Sequence, residues 1–418
     1  MHKLLRLVVG LLVVVFGAGC RKTTMSCATG SGGEQSLVTV RDVRVLLADR
    51  DRQCRVRVEG PLQLKSRSGR TLIEGDGGSW VVVSVDDQRG IRFGDRMLGA
   101  GVFELGTERF GAIEMSRREA GRWSSPRRYA GTLRFSVNAA GGLRVINLVG
   151  VEIYVACVLP GEIYRHFHTQ AYRAQAVAAR TYALYQMASR EQKPYDVSAT
   201  ESSQVYPGLG VGRAAQRARE AVDFTRGIVA TWTSPHGEQI FCTYYSSCCG
   251  GMTQDVANCR QDVPSIPPLA GSVPCKCSRV AALGAYRWKA VRISKSQVTS
   301  RLVARHQHLN KLGRIESIDV VKRTNWGRPK VLRLVGSSGR NHNMVAEDFR
   351  LAMGSRTLRS TSFKIRNDGE HFEFVEGRGF GHGMGMCQWG MQEMALRGHR
   401  AGAILKHYYP GMHLTRAY

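Results

Sequence analysis

Three stretches of this chain set polar, glycine and apolar residues side by side in a way a simple core pattern does not require. The first is Tyr154-Val155-Ala156-Cys157-Val158-Leu159-Pro160-Gly161-Glu162, followed by a run bearing Gln175, Arg180, Thr181 and Tyr182. Glu162 follows an apolar run and a Pro-Gly turn, at the edge of a core. A carboxyl in partly apolar surroundings holds its proton to higher pH, as general acid work near neutrality requires. A glutamate at a helix start, favoured there by the dipole, fits the same residues. The second stretch is Ser202-Ser203-Gln204-Val205-Tyr206-Pro207-Gly208, with Thr243-Tyr244-Tyr245-Ser246-Ser247-Cys248-Cys249-Gly250-Gly251 further on. Tyrosine faces and amide donors suit sugar rings, and Gly250-Gly251 permits close backbone approach; an ordinary polar turn fits as well. In the third, glycines alternate at 377, 379, 381, 383 and 385 around His382, and Gln388 follows. Such spacing implies special dihedrals or tight packing. It is not a dinucleotide fingerprint, because no strand–turn–helix unit with a later acidic residue accompanies it. His382 suits a ligand, a proton carrier, a hydrogen-bond donor or a structural post.

The elements that must position these residues read as α+β. From residue 37 short strands follow one another: Val38, Val40, Val43 and Val45 alternate with polar residues, then Arg55 to Val58, Trp80 to Val85, and Leu143 to Val149. An Ala-rich run predicts a helix from about His168 to Met187. Further helices are predicted at 213–224, 296–304, 345–353 and 386–397, and strands at 227–232, 239–246, 315–322 and 331–335. The expected organisation is a leader at 1–20, a tether at 21–36, a β-rich region at 37–140 and a mixed α/β domain at 141–414. Within that domain lies a basic insert at about 279–372.

The 418 residues are 43% apolar and 22% charged, enough for real cores and too mixed for disorder or a polytopic membrane protein. The outlier is 60 Lys+Arg against 33 Asp+Glu, a net charge of +27. The insert alone holds 20 Lys+Arg and 6 Asp+Glu, about half of that excess. Such a balance favours a polyanionic setting or reflects an arginine bias. Met1 to Cys20 reads as an export signal: a basic start, an apolar core from Leu7 to Phe16, and Gly17-Ala18-Gly19-Cys20. That ending resembles a bacterial lipobox, in which Cys20 takes the lipid, although Gly17 stands where leucine is usual. Export turns the expectation away from nucleic acid and permits disulfides. Of 11 cysteines, six lie between Cys242 and Cys277, and they read first as disulfides, with zinc as the alternative; Cys275 and Cys277 are available to pair with Cys248 and Cys249, but the sequence leaves the connectivity open.

Together the three stretches resemble the SpoIID/LytB family. Leu159-Pro160-Gly161-Glu162 and Arg173-Ala174-Gln175-Ala176-Val177-Ala178-Ala179-Arg180-Thr181-Tyr182-Ala183 follow its Val-Pro-x-Glu … Lys-Ala-Gln-Ala-Val-Ala-Ala-Arg-Thr-Tyr-Ala pattern, with Phe167 in a tryptophan place. Ser203 to Gly208 resembles its Ser-Gln-x-Tyr-x-Gly, and Tyr245-Ser246-Ser247 with Gly250-Gly251 its Ser-rich, Gly-Gly segment. The His382 run and Ile404 to Gly411 resemble its C-terminal motifs. Tyr164 and His168 replace the two prolines after the glutamate, and Cys248-Cys249 replace small residues. The resemblance implies an α/β domain that either cleaves peptidoglycan glycan strands in lytic transglycosylase fashion or, without catalysis, enhances a wall amidase. It implies Glu162 as acid/base, with Gln175, Arg180, Gln204, Tyr206, Tyr245, His382 and Gln388 lining the groove. No cofactor is expected. The Cys/His zinc of some members is not carried over, because no Cys or His lies between Tyr185 and Phe224; His166-x-His168 beside cysteines is the other metal arrangement considered. The implied partners are glycan strands, a wall amidase, and the membrane through the Cys20 lipid, in the cell envelope.

Overall fold

The computed structural model describes residues 41–107, 111–260 and 262–418. The leader, the lipobox cysteine Cys20, the tether and the first two valines of the β pattern lie outside them. Among the described residues no helix is long and apolar enough to cross a membrane.

Alternating apolar residues make the first half a pair of seven-stranded sheets. In one, the hydrogen-bonded order runs Val197–Ser198, Val43–Asp51, Leu143–Val149, Thr132–Val137, Phe103–Thr107, Pro61–Ser66 and Thr71–Asp76. In the other, Ile113–Glu119, Gln53–Val58 and Val81–Val85 are neighbours. Val43, Val45, Val56, Val58, Leu133, Phe135 and Val145 turn inward and are at most 1% exposed. The strand Leu143–Val149, expected beyond a boundary at residue 140, is an interior strand of the first sheet. The parallel pairing of Val45 with Val197 binds that sheet to the motif-bearing half, and one apolar core runs through both. A composition shift marks where strands give way to helices, not where a core ends.

Asp196 locks this junction. Its wholly buried carboxylate takes Arg41 and Arg44, with contacts of 2.8 and 2.7 Å, and accepts the Arg44 backbone N–H at 2.8 Å. Burial works upward on its pKa, but these bonds outweigh it and hold the group below its usual 3.8. The unfolded chain therefore takes up the proton first. The stabilisation is complete above pH 3.8 and is lost as pH falls below it. Asp196→Asn is expected to flatten the acid limb of a denaturation-against-pH curve; an unchanged limb would contradict this role.

Helices follow the strands. α1 is Val151–Glu162, α2 Thr169–Ser189 and α3 Gly212–Phe224. α2 begins at the N-cap His168, whose Nδ1 accepts the Gln170 N–H. It is buried along most of its length, and its alanines let α1 and α3 approach closely. The expected insert has its own core of Val298, Leu302, Leu332, Leu334, Phe349, Phe372 and Phe374, separate from the main one. It holds the one-turn helix α4 (Leu283–Tyr286), α5 (Lys295–Arg305) and α6 (Ala346–Met353), with a four-stranded and a three-stranded sheet. The chain then returns to the main core for α7 (Gln388–Leu396) and α8 (Ala401–Tyr408).

Candidate functional site

α1 was not legible as a helix, because its valines suit a strand and Pro160-Gly161 reads as a turn. Pro160 nonetheless sits in its last turn, and Glu162 is its final residue. The helix-start reading of Glu162 is thus reversed: the negative end of the dipole disfavours a carboxylate there. Glu162 is half-buried. Its Oε1 accepts the Val205 backbone N–H at 2.6 Å, so the Ser-Gln-x-Tyr turn closes directly over it. Burial pushes its pKa up to about 7, against the Val205 N–H and the Gln388 side-chain amide, while the Glu201 carboxylate adds to the rise.

Two sequence-distant segments meet beside it. Tyr245 and Ser246 pair in parallel with Met386 and Cys387, which brings the Tyr245 motif to the start of α7 and hence to Gln388. The approach needs glycine: Gly379, Gly381, Gly383 and Gly385 all have positive φ, and a Cβ on Gly385 would stand 2.0 Å from the Tyr244 carbonyl. His382 lies between them with a T-shaped contact to Tyr244, ring centroids 6.0 Å apart. Its Nδ1 accepts the Met384 N–H at 3.0 Å, which fixes an unprotonated Nδ1. Burial pushes its pKa down to about 4, although Glu347 and a hydrogen bond to the Tyr245 backbone work upward. The ring is neutral near pH 7, with Nδ1 held as an acceptor.

The expected groove residues do not all line a groove. Glu162, Gln388 and Tyr245 converge: the Gln388 amide bonds the Glu162 carboxyl, and the Glu162 charge raises the pKa of the buried Tyr245 hydroxyl after burial itself. Gln204 is fully buried behind them: it accepts from Tyr154 Oη at 2.9 Å and donates to Tyr245 Oη at 2.9 Å, so it braces the tyrosine. Tyr206 is also internal, stacked on Tyr154 and donating to Asn147 Oδ1 at 2.7 Å. Gln175 is fully buried, and neither amide atom has a hydrogen-bond partner among the described residues. Arg180 is the clearest correction. Its guanidinium is wholly buried on Glu152, at 2.7 Å, and on the Val222 and Ile228 carbonyls, so its charge is answered by Glu152 and not by Glu162. An arginine beside a motif looks like an anion receptor in sequence; only the fold reveals a carboxylate already waiting for it.

The sequence reading missed Tyr164. It replaces a family proline, is 50% exposed, and lies against Trp389 with ring centroids 5.1 Å apart. Phe167 and His166 complete an aromatic platform two residues beyond Glu162. The adjacency of four aromatic or imidazole rings at 164, 166, 167 and 389 was visible only in part. Glu201, next to the Ser-Gln-x-Tyr turn, is exposed and tied to the insert, accepting from Ser355 Oγ at 3.2 Å and Arg356 at 3.1 Å. A cavity of about 500 Å³ lies elsewhere, lined by Glu152, Cys157 and Leu209 but not by Glu162. The nine described cysteines are free thiols, not the expected disulfides. The Cys249, Cys275, Cys277 and Cys387 sulfurs lie within 4.8 Å of one another. His166 and His168 instead make the ring and capping contacts described above.

A model described as stage II sporulation protein matches residues 139–232, which hold Glu162, α2 and the Ser-Gln-x-Tyr turn. An uncharacterised protein of Brachyspira hyodysenteriae is 30% identical over 288 residues, 69% of this chain and 72% of that one. The stage II sporulation protein D of Bacillus amyloliquefaciens is 25% identical over 64% of the chain and 75% of its own length. The chain belongs to the SpoIID/LytB family. Within the family it also matches the amidase enhancer of Bacillus subtilis at 25% identity, over 62% of this chain but only 40% of that longer protein. Residues 280–385 match a domain of unknown function (DUF8618), a range that overlaps the expected insert and extends past it through the glycine run around His382.

Proposed function

We propose that this SpoIID/LytB family member cleaves peptidoglycan glycan strands by a lytic transglycosylase-like reaction, with Glu162 as the acid/base. The observation that carries the reading is a single carboxyl with its pKa raised to about 7, held by Val205 and Gln388 two residues before the exposed ring of Tyr164, which packs on the buried Trp389. Glu162 donates its proton to the glycosidic oxygen as the bond to the anomeric carbon breaks. The muramic acid 6-hydroxyl attacks that carbon and gives its proton to Glu162, leaving a 1,6-anhydro sugar and a reset carboxyl. The substrate supplies its own nucleophile, so no second carboxylate is required, unlike a hydrolytic glycosidase. Tyr164 offers a face for a sugar ring; Gln204 and His382 hold the walls. The same reading has the chain exported and lipidated on Cys20, with its basic insert against the anionic wall.

The second reading, a non-catalytic enhancer of a wall amidase, draws support from the amidase enhancer relative. Digestion of intact and peptide-stripped sacculi by the purified chain, with mass analysis of products, separates the two. Anhydro-ended fragments are expected. A reducing-end product would overturn the transglycosylase chemistry, and stimulation of an added amidase without any glycan product would favour the enhancer.

A further inference from the structure

Four cysteines from three separate parts of the sequence converge in the core: Cys249 from the Gly-Gly segment, Cys275 and Cys277 from a connecting loop, and Cys387 at the N-cap of α7. All four are buried. A tetrahedral zinc with Zn–S bonds of about 2.3 Å needs sulfurs about 3.8 Å apart. Here Cys249 and Cys277 stand 3.9 Å apart, and every pair in the group lies within 4.8 Å. A disulfide needs about 2.0 Å, so the spacing is that of a single ion's shell rather than of two bonded pairs.

The surroundings fit four thiolates. A tetrathiolate zinc centre carries a net double negative charge, and in a core it needs donors aimed at its sulfurs. The Cys249 N–H points to Cys387 Sγ at 3.2 Å, and the Gly390 N–H in the first turn of α7 points to the same sulfur at 3.4 Å. Tyr408 Oη lies 3.2 Å from Cys275 Sγ. The buried Arg328 of the insert bonds the Cys249 carbonyl, adding positive charge close by. Gly390 leaves space for the group, since a Cβ there would stand 2.3 Å from Cys275 Sγ and 2.0 Å from Tyr408 Oη.

We propose that Cys249, Cys275, Cys277 and Cys387 bind one structural zinc ion. The ion fastens three segments at the point where the Tyr245 strand, the 275–277 loop and α7 meet. Gln388, which reaches Glu162, is the residue after one ligand. Zinc at this place is therefore a staple behind the candidate site and takes no part in its chemistry. Cys248, whose sulfur is 3.6 Å from Cys277, is the fifth thiol and remains outside the shell.

The full chain, purified without chelator, is expected to carry about one zinc per chain by elemental analysis, as a closed four-ligand site requires. Replacement by cobalt should give intense thiolate-to-cobalt charge-transfer absorption with the visible bands of a tetrahedral ion. Four thiols should become open to alkylation only when a chelator is present, and Cys275→Ser or Cys387→Ser should lose the metal while Cys54→Ser keeps it. Should the serine variants fail to fold, cobalt absorption and thiol protection in the unaltered chain still decide the matter. Metal-free protein with disulfides among these cysteines on peptide mapping would overturn the proposal, as would bound metal that survives loss of Cys387. None of these readouts depends on glycan cleavage.

Discussion

Glu162→Gln is expected to lower glycan cleavage by roughly 10²–10⁴-fold, the usual worth of a positioned acid/base, while making the protein more stable above neutral pH. Both effects come from the same burial. The unfolded carboxyl releases its proton near the usual 4.5, the folded one near 7. Below pH 4.5 both states are protonated and nothing is lost. As pH rises from 4.5 to 7, the unfolded state gains by ionising while the folded state cannot, so stability falls, and above 7 the loss is complete. At about 1.36 kcal/mol per decade of proton affinity, wild type forgoes up to about 3 kcal/mol at pH 8 that the glutamine variant keeps. Denaturant titrations of both proteins at pH 4 and pH 8 check this: equal stability at both values would mean that the carboxyl is not held as described. The rate should decline above about pH 7, where the acid is ionised. Glu201→Gln should move that limb to lower pH, because a neighbouring negative charge no longer holds the proton on. A stabilised, inactive Glu162→Gln would mark a site that sacrifices stability for chemistry.

Arg180→Ala is expected to cost roughly 3–5 kcal/mol of stability, the penalty for leaving one member of a buried ion pair alone. Glu152 is left in a nearly closed site with only Tyr418 Oη at 2.6 Å and the Gly227 N–H at 3.1 Å to answer its charge. The denaturation midpoint should fall with little change in slope. Glu152→Gln with Arg180→Met should recover part of the loss, since removing both charges avoids an orphan. In whatever fraction remains folded, the Michaelis constant for glycan should match wild type. A variant as stable as wild type but unable to bind glycan would restore Arg180 to the groove.

These two residues mark the limit of what could be read from the chain. The order and spacing of the motifs sufficed for the family and put Glu162 forward as the candidate acid; alanine density marked α2, and charge density the basic stretch. Each depends on local patterns: alanine density, apolar period, charge density, or residues a few places apart. The environment of each polar residue was not local. Arg180 meets Glu152 from the preceding helix, Gln204 braces Tyr245, and Tyr206 donates to Asn147 across 59 positions of sequence. Whether a buried polar side chain serves a ligand or the fold depends on which partners tertiary contacts deliver, and those contacts are set by the packing of whole elements. Pro160-Gly161 shows the same override at the backbone, where packing against α2 and α3 keeps as helix a segment whose residues favour strand and turn.

The sequence by itself determined which residues are available: one candidate acid, an alanine-rich central helix, a basic insert and a store of cysteines. Only the tertiary structure decided their employment. It buried Glu162 at the negative end of a helix, retired Arg180 into the core, and brought Cys387 to Cys249, 138 positions away. The reason is that side-chain type is a local property, whereas dielectric environment and ligand geometry come from chain segments that meet only when the core closes.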